Sequence, residues 1–346
     1  MSSVFVCGLG AVSPAGWGVE ALRHALQGET TMPVSELSRP GWDRGVFVRR
    51  VPAPAPRPAF LAQARLRRSS PISHFVVGAA LEALGTDAPA VAAGTLRLGI
   101  VLCVMSGCVN YSKRFYDETL KDPSTASPLV FPETVFNAPC SHLSALLGAT
   151  GLSYTMVGDP GTFVQGLALA GQWLVNGEAD GCLVIGAEEC DWITADAFRH
   201  FQREFVLSEG SGAVYLKTGE APESSVELEG VTDSFSFINY ETRLSAAKRM
   251  RAELPEGTGE DILCESTQGL AALDAPEIRA WQNWPGKRIA PKKIFGEGLT
   301  AATAWQSVAG IQRLAEQKSG KCLVSVAGCN QQVIGACFSH GSSADL

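Results

Sequence analysis

The chain has 346 residues, 46% of them hydrophobic and 18% charged, with a formal net charge of −7. This composition excludes a disordered chain and supplies a large buried core; the length suits one large or two medium globular units of roughly 100–200 residues each. The acidic balance excludes a general attraction to nucleic acid or to an anionic membrane and leaves only local basic patches for such contacts.

The opening SVFVCGLGAVSPAGWGVEALRHALQG (3–28) reads as a strand, a Gly/Ser/Pro turn and a helix. Gly8, Gly10 and Gly16 miss the G-x-G-x-x-G spacing, and no acidic residue closes a second strand about twenty residues on, so no nicotinamide cofactor is expected. The Pro-rich VPAPAPRPAF (51–60) cannot pair in a central strand. ISHFVVGAALEALG (72–85) has helical spacing, and RLGIVLCVM (97–105) is a continuous apolar run, as a strand buried on both faces requires. FNAPCSHLSALLGATG (136–151) is a loop and a helix ending in Gly. SYTMVGDPGTFVQGLALAGQWLVNGEADGCLVIGAEE (153–189) gives strand, sharp turn, apolar helix, turn and strand, and SGAVYLKT (211–218) another strand.

The second part repeats the style. VELEGVTDSFSF (226–237) and DILCES (261–266) are strand-like, and AATAWQSVAGIQRLAEQ (301–317) is a helix. CLVSVAG (322–328) and QVIGACFS (332–339) form a terminal pair of strands. Buried strands with helices on both faces predict a layered α/β protein in two halves, 1–220 and 221–346.

Ten cysteines stand at 7, 103, 108, 140, 182, 190, 264, 322, 329 and 337, with no C-x-x-C pair and no His at ligand spacing, so no metal site is expected. Most lie in apolar runs, where a free thiol packs as a small hydrophobe. Scattered thiols in a chain of this size point to a reduced, cytoplasmic protein. The N-terminus lacks a basic stretch followed by an apolar one, so no signal peptide is expected. No apolar run approaches the roughly 20 residues of a membrane span.

The order of these segments resembles that of the β-ketoacyl-acyl carrier protein synthases. GLGAVSPAGWGVEALRHALQG (8–28) is similar to that family's first strand, turn and helix. The block from Asn137 to Glu189 resembles its central block almost position by position. LSEGSGAVYL (207–216) is similar to the strand closing its first half, and KKIFGEGLTAATAWQSVAGIQRL (292–314) to the loop and helix of its second. The resemblance implies a thiolase-like fold of two pseudo-symmetric α/β halves in an α/β/α/β/α arrangement, and an obligate dimer. The chain is short for the family and looks trimmed near 190–205 and 235–260.

Condensation needs a thiolate to hold the acyl chain and two imidazoles to stabilise the enolate formed on decarboxylation. The family's nucleophile elbow reads T-A-C-A-S-G-T; the matching segment here is Met156-Val157-Gly158-Asp159-Pro160-Gly161-Thr162, which puts Gly158 in the nucleophile's place. The first family His lies in H-G-T-x-T; the stretch CESTQGLAALD puts Ser266 there, and no His occurs between 201 and 339. The second follows K-x-x-x-G; Lys292 and Gly296 fit, and Glu297 replaces the imidazole, where a carboxylate would repel an enolate. The C-terminal G-F-G-G gate gives way to VAGCNQQ (326–332). With no intact catalytic residue, decarboxylative condensation is not expected of this subunit.

His142, in the N-A-P-x-S-H block, and Cys140 beside it are expected to be structural, and Asp159 with Pro160 is expected to cap the elbow helix. Glu188 and Glu189 at a strand end should satisfy backbone donors and point apart. Arg65, Arg67 and Arg68 form the one dense basic cluster. By resemblance, basic residues before this helix meet an acidic acyl carrier protein, a contact that would raise encounter rate more than affinity.

A dead synthase fold suits a subunit that shapes the pocket of an active partner, as chain-length factors do in type II polyketide systems. Those commonly carry Gln at the elbow where this chain has Gly158. The expected partners are an active β-ketoacyl synthase and an acyl carrier protein. Two other classes stay open: an enzyme that recruits Ser266, Glu297 or Cys140 for another acyl transfer or hydrolysis, and a homodimeric scaffold that holds an acyl chain or carrier protein.

Overall fold

The structure, a computed structural model, describes residues 3–39, 41–200, 202–219, 226–317 and 319–340. The continuous apolar runs become the strands Leu98–Val104 and Gly181–Glu188, in which every residue is buried. Strands without polar alternation are stable only where both sheet faces are covered, and these two lie side by side and parallel in the interior of the first half.

Ten strands of the main sheet follow one path, and the short strands Gly16–Trp17 and Phe235–Ser236 pair beside it. From one edge it runs Ser153–Val157, Leu98–Val104, Gly181–Glu188, Gly210–Thr218, Val4–Ser13, paired parallel, parallel, antiparallel, antiparallel. From the opposite edge it runs Lys287–Ile289, Ile262–Glu265, Lys321–Ala327, Gln332–His340, Val226–Val231, with the same succession of pairings. The two sets meet where Phe5 pairs with Glu227 and Val6 with Val226. One topology therefore occurs twice in the chain. The boundary expected at 220/221 lies outside the described residues.

Helices complete the layers. Pro71–Leu84 and Ala138–Leu147 cover the outer face of the first set of strands. Tyr240–Glu253 packs on the outer face of the second set, where Trp281 and Trp284, just past Ala271–Ala280, complete the cluster. Thr162–Val175 and Leu299–Gln317 lie together in the central core, with Phe163, Leu167, Trp305 and Val308 fully buried. The result is the expected α/β/α/β/α stack. Close approach of the long helix needs small residues: a Cβ at Gly186 would stand 2.3 Å from the carbonyl oxygen of Thr300.

Two departures from the sequence reading concern the long apolar helix and the sheets. The helix expected at 72–85 continues through a 3₁₀ turn at Gly85–Asp87 into Ala88–Ala92. Pro71–Ala92 is thus a 22-residue helical run, apolar enough by length and composition to cross a membrane, which corrects the expectation that no run approaches that length. Ser73, His74 and Glu82 interrupt its hydropathy, and Ile72, Phe75, Val76, Ala79 and Ala80 bury one side of it in the first half's core. A small second sheet of Ser35–Leu37, Val46–Arg49 and Leu207–Ser208 was also not foreseen; its strands are too short to show a period.

Candidate functional site

The strand Ser153–Val157 runs out beside Val104, and the Gly158 N–H closes onto the Val104 carbonyl at 3.1 Å. The carboxyl ends of parallel strands are where α/β folds place their sites. The elbow turns here, and the helix begins at Thr162 with no side-chain cap. A Cβ built on Gly158 meets Thr162 Oγ1 at 2.4 Å and nothing else closer than 3.7 Å. The position holds no functional group, and only a rotatable hydroxyl crowds it.

Asp159 is not the helix cap expected of it. Only its backbone carbonyl serves the helix, accepting the Thr162 N–H at 2.8 Å. Its buried carboxylate points to the other half of the chain and accepts the N–H groups of Asn330 (3.1 Å), Gln331 (3.2 Å) and Gln332 (3.0 Å), with the Cys329 thiol at 3.6 Å. Burial raises this carboxyl above the usual range, against the pull of those donors.

Ser266 follows the strand Ile262–Glu265 and is 4% exposed. Its Oγ accepts the Ala327 N–H at 2.8 Å and lies 3.0 Å from Glu277 Oε2 and 3.1 Å from the Ser325 carbonyl oxygen. Glu277 is wholly enclosed, also receives the Ser325 hydroxyl, and is pushed up to about 7 by burial. Ser266 is thus a tie between three segments, with its oxygen fully engaged.

Glu297 is 1% exposed and meets Lys292 Nζ at 2.8 Å, the lysine side chain being equally enclosed. The Leu299 N–H (2.9 Å) and the Gln268 side-chain amide (3.3 Å) complete its partners. Leu299 takes φ +51°, a left-handed conformation that costs a leucine strain and persists only where neighbours over-determine it.

The turn at 326–332 gathers these positions. Ala327 binds Ser266, residues 330–332 bind Asp159, and Cys329 lies in the field of both Glu297 and Asp159. Burial first, then those carboxylates, hold the Cys329 thiol well above its ordinary value, so it is no ready thiolate. Arg243, 8% exposed, donates to the Ala327 carbonyl at 3.2 Å and sits over the Phe237 ring, and its Nε has no hydrogen-bond partner among the described residues. Sequence reading missed Arg243, Glu277 and Cys329 as parts of this assembly, because only the fold brings them to Ser266 and Glu297.

The remaining candidates lie elsewhere. Cys140 Sγ contacts Ser153 Oγ at 3.0 Å, and burial raises its thiol. His142 Nε2 pairs with Glu133 at 2.8 Å. Glu188 accepts the N–H groups of Met105 and Ser106 and the Thr300 hydroxyl. Glu189 accepts from Ser70, Ile72 and Asn110. The two acids diverge and brace different loops. Arg65, Arg67 and Arg68 stand exposed around the turn Leu66–Arg68, which the buried Leu66 anchors. The cysteines are all free, and among the described residues no group of three or more His, Cys, Asp or Glu could hold a metal.

A repeated five-strand unit wrapped on two central helices, with its turns converging on one elbow, defines the thiolase-like class of fold. The family model described as beta-ketoacyl synthase, N-terminal domain, matches residues 1–221, and the chain belongs to that family. No curated protein matches it. Among solved structures it is similar to a type II polyketide synthase acyl-carrier protein in complex with its ketosynthase bound to the hexaketide (AntDE:AntF), at 18% identity and TM-score 0.77 over 99% of this chain and 100% of that one. The ishigamide ketosynthase/chain length factor gives 17% identity and TM-score 0.75 over 98% and 99%. A beta-ketoacyl synthase from Burkholderia phymatum STM815 gives 16% and 0.76 over 99% and 100%. At such identities the likeness speaks to the fold.

Proposed function

We propose that this chain is the non-catalytic member of a ketosynthase pair, a chain-length-factor-like subunit. In this reading it joins an active β-ketoacyl synthase in the cytoplasm and shapes its acyl pocket in fatty-acid or polyketide-type biosynthesis, polyene formation included. One observation carries the reading. The positions matched to the family's Cys, His and His hold Gly158, Ser266 and Glu297, and the two that have side chains are engaged in buried bonds to Glu277 and Lys292. A glycine cannot attack, and neither a tied hydroxyl nor a paired carboxylate can stabilise an enolate.

The edge of the main sheet supports the pairing. Ser153–Val157 is a terminal strand, with Tyr154 and Val157 exposed on it, and Phe131, Val135 and Phe136 are exposed in the segment leading into the preceding helix, Ala138–Leu147. Open edges that carry apolar side chains are normally covered by a partner. Arg65, Arg67 and Arg68 offer a carrier protein a basic contact without disturbing the core beneath.

Co-expression with an intact ketosynthase tests the reading. The expected outcome is a one-to-one complex, by size exclusion with mass detection, that condenses malonyl carrier protein only when both chains are present. A homodimer of this chain that turns over an acyl substrate unaided would sink it.

A further inference from the structure

The turn at 328–332 is built like a receptor for an acid. Three successive backbone N–H groups, of Asn330, Gln331 and Gln332, converge on one carboxylate at 3.0–3.2 Å, and the Cys329 thiol adds a fourth, weaker donor. Convergent N–H groups of this kind form anion-binding concavities. The turn is closed by the Gly328 N–H onto the Gln332 carbonyl at 2.8 Å. A Cβ at Gly328 would stand 1.9 Å from Asp159 Oδ2, so only glycine leaves the anion its place. Arg243 adds positive field: its guanidinium is anchored to Ala327, one residue before the turn, lies in the field of Asp159, and its buried Nε has no hydrogen-bond partner among the described residues.

The carboxylate in this receptor belongs to the chain itself. We infer that the turn 328–332 is an anion-binding nest and that Asp159 is its built-in occupant. This tethered acid ties the elbow of the first half to the terminal hairpin of the second and keeps free carboxylates and oxyanions out. The donors of the turn are spent on this internal bond, so a carbonyl or a carboxylate that reaches the turn finds them taken. The ligand class that fits the vacated nest is a small carboxylate, formate or acetate in size. The inference stands on Asp159 and its donors and does not depend on the chain's partner.

The test is replacement of the tethered acid by a free one. Asp159→Ala is expected to lower the thermal midpoint. Sodium formate at about 50 mM should recover at least about half of that loss relative to sodium chloride at equal ionic strength, by preferential binding to the folded state. The wild-type midpoint should not respond to formate. Asp159→Asn, which sets an amide NH₂ against the same donors, should be lowered and not recover. An unchanged midpoint in Asp159→Ala overturns the tie. A lowered midpoint that formate fails to raise, or raises equally in the wild type, overturns the nest. Should Asp159→Ala not fold, amide exchange in the wild type and Asp159→Asn decides. Residues 330–332 should exchange at least about tenfold faster in the variant, and equal rates overturn the inference.

Discussion

The two halves share a strand order and a sequence of pairings, yet their site positions differ in kind. In the first half the elbow position is empty: Gly158 has no side chain, and a Cβ there would press only on Thr162. In the second half the positions are filled. Ser266 is knotted to Glu277, Ser325 and Ala327, and Glu297 is paired with Lys292 and held by Leu299 and Gln268. An empty position can be filled with little rearrangement. A filled one is held by partners that depend on it, and placing an imidazole there means breaking a buried network.

The largest expected effect follows from that asymmetry. Glu297→His or Glu297→Gln leaves the Lys292 ammonium enclosed without its counter-charge. Losing one member of a buried ion pair costs about 3–5 kcal/mol. Replacing both, as Lys292→Met with Glu297→Leu, removes the charges together and should cost far less than either single change. Urea unfolding of Lys292→Met, Glu297→Leu and the double measures the coupling. Singles and double that all lie within about 0.5 kcal/mol of the wild type would mean that the second half is no more committed than the first.

A smaller effect sharpens the comparison through pH. Glu188 braces the first half from within, and burial pushes it from its ordinary 4.5 up to about 7. When protonated it can donate to Thr300 Oγ1, whose own hydrogen then turns to the Cys103 carbonyl at 2.9 Å. The folded chain therefore holds a proton that the unfolded chain has released, so this contribution is complete below about pH 4.5 and is lost as pH rises through about 7. The stability difference between wild type and Glu188→Gln should fall by about 3 kcal/mol across that window and be flat above it. A difference independent of pH would show that Glu188 is ionised throughout. Glu277, also pushed up to about 7, gives the second half the same sign of dependence.

How far the sequence alone reveals this molecule depends on how each feature is encoded. The buried strands announce themselves by unbroken apolar runs, and Leu98–Val104 and Gly181–Glu188 fall where the pattern places them. The glycine, serine and glutamate at the matched positions are legible because single letters carry them. The partners are not. Glu277 reaches Ser266 from the following helix, Arg243 comes from the helix Tyr240–Glu253, and the backbone donors to Asp159 lie more than 170 residues away in the chain. Asp159 looks like a cap because Asp-Pro before a helix is a local pattern. Its true partners are long-range, and no local pattern encodes them.

The smallest effect on stability belongs to the empty position, and it is the most direct probe of the chemistry. Gly158→Cys requires Thr162 to rotate its hydroxyl away from a Cβ at 2.4 Å, a cheap movement of a side-chain end. Its cost should stay within about 1 kcal/mol, at the level of ordinary substitutions. The new thiol would sit at the start of the helix Thr162–Val175, where backbone N–H groups favour a thiolate, so labelling by iodoacetamide should rise above the wild-type background. Decarboxylation of malonyl carrier protein should nevertheless stay at background in the purified variant, because Ser266 and Glu297 supply no imidazole for the enolate. If the single cysteine conferred turnover, the second half's filled positions would have to be catalytically competent as they stand, and the contrast between an empty elbow and a committed second half would fail.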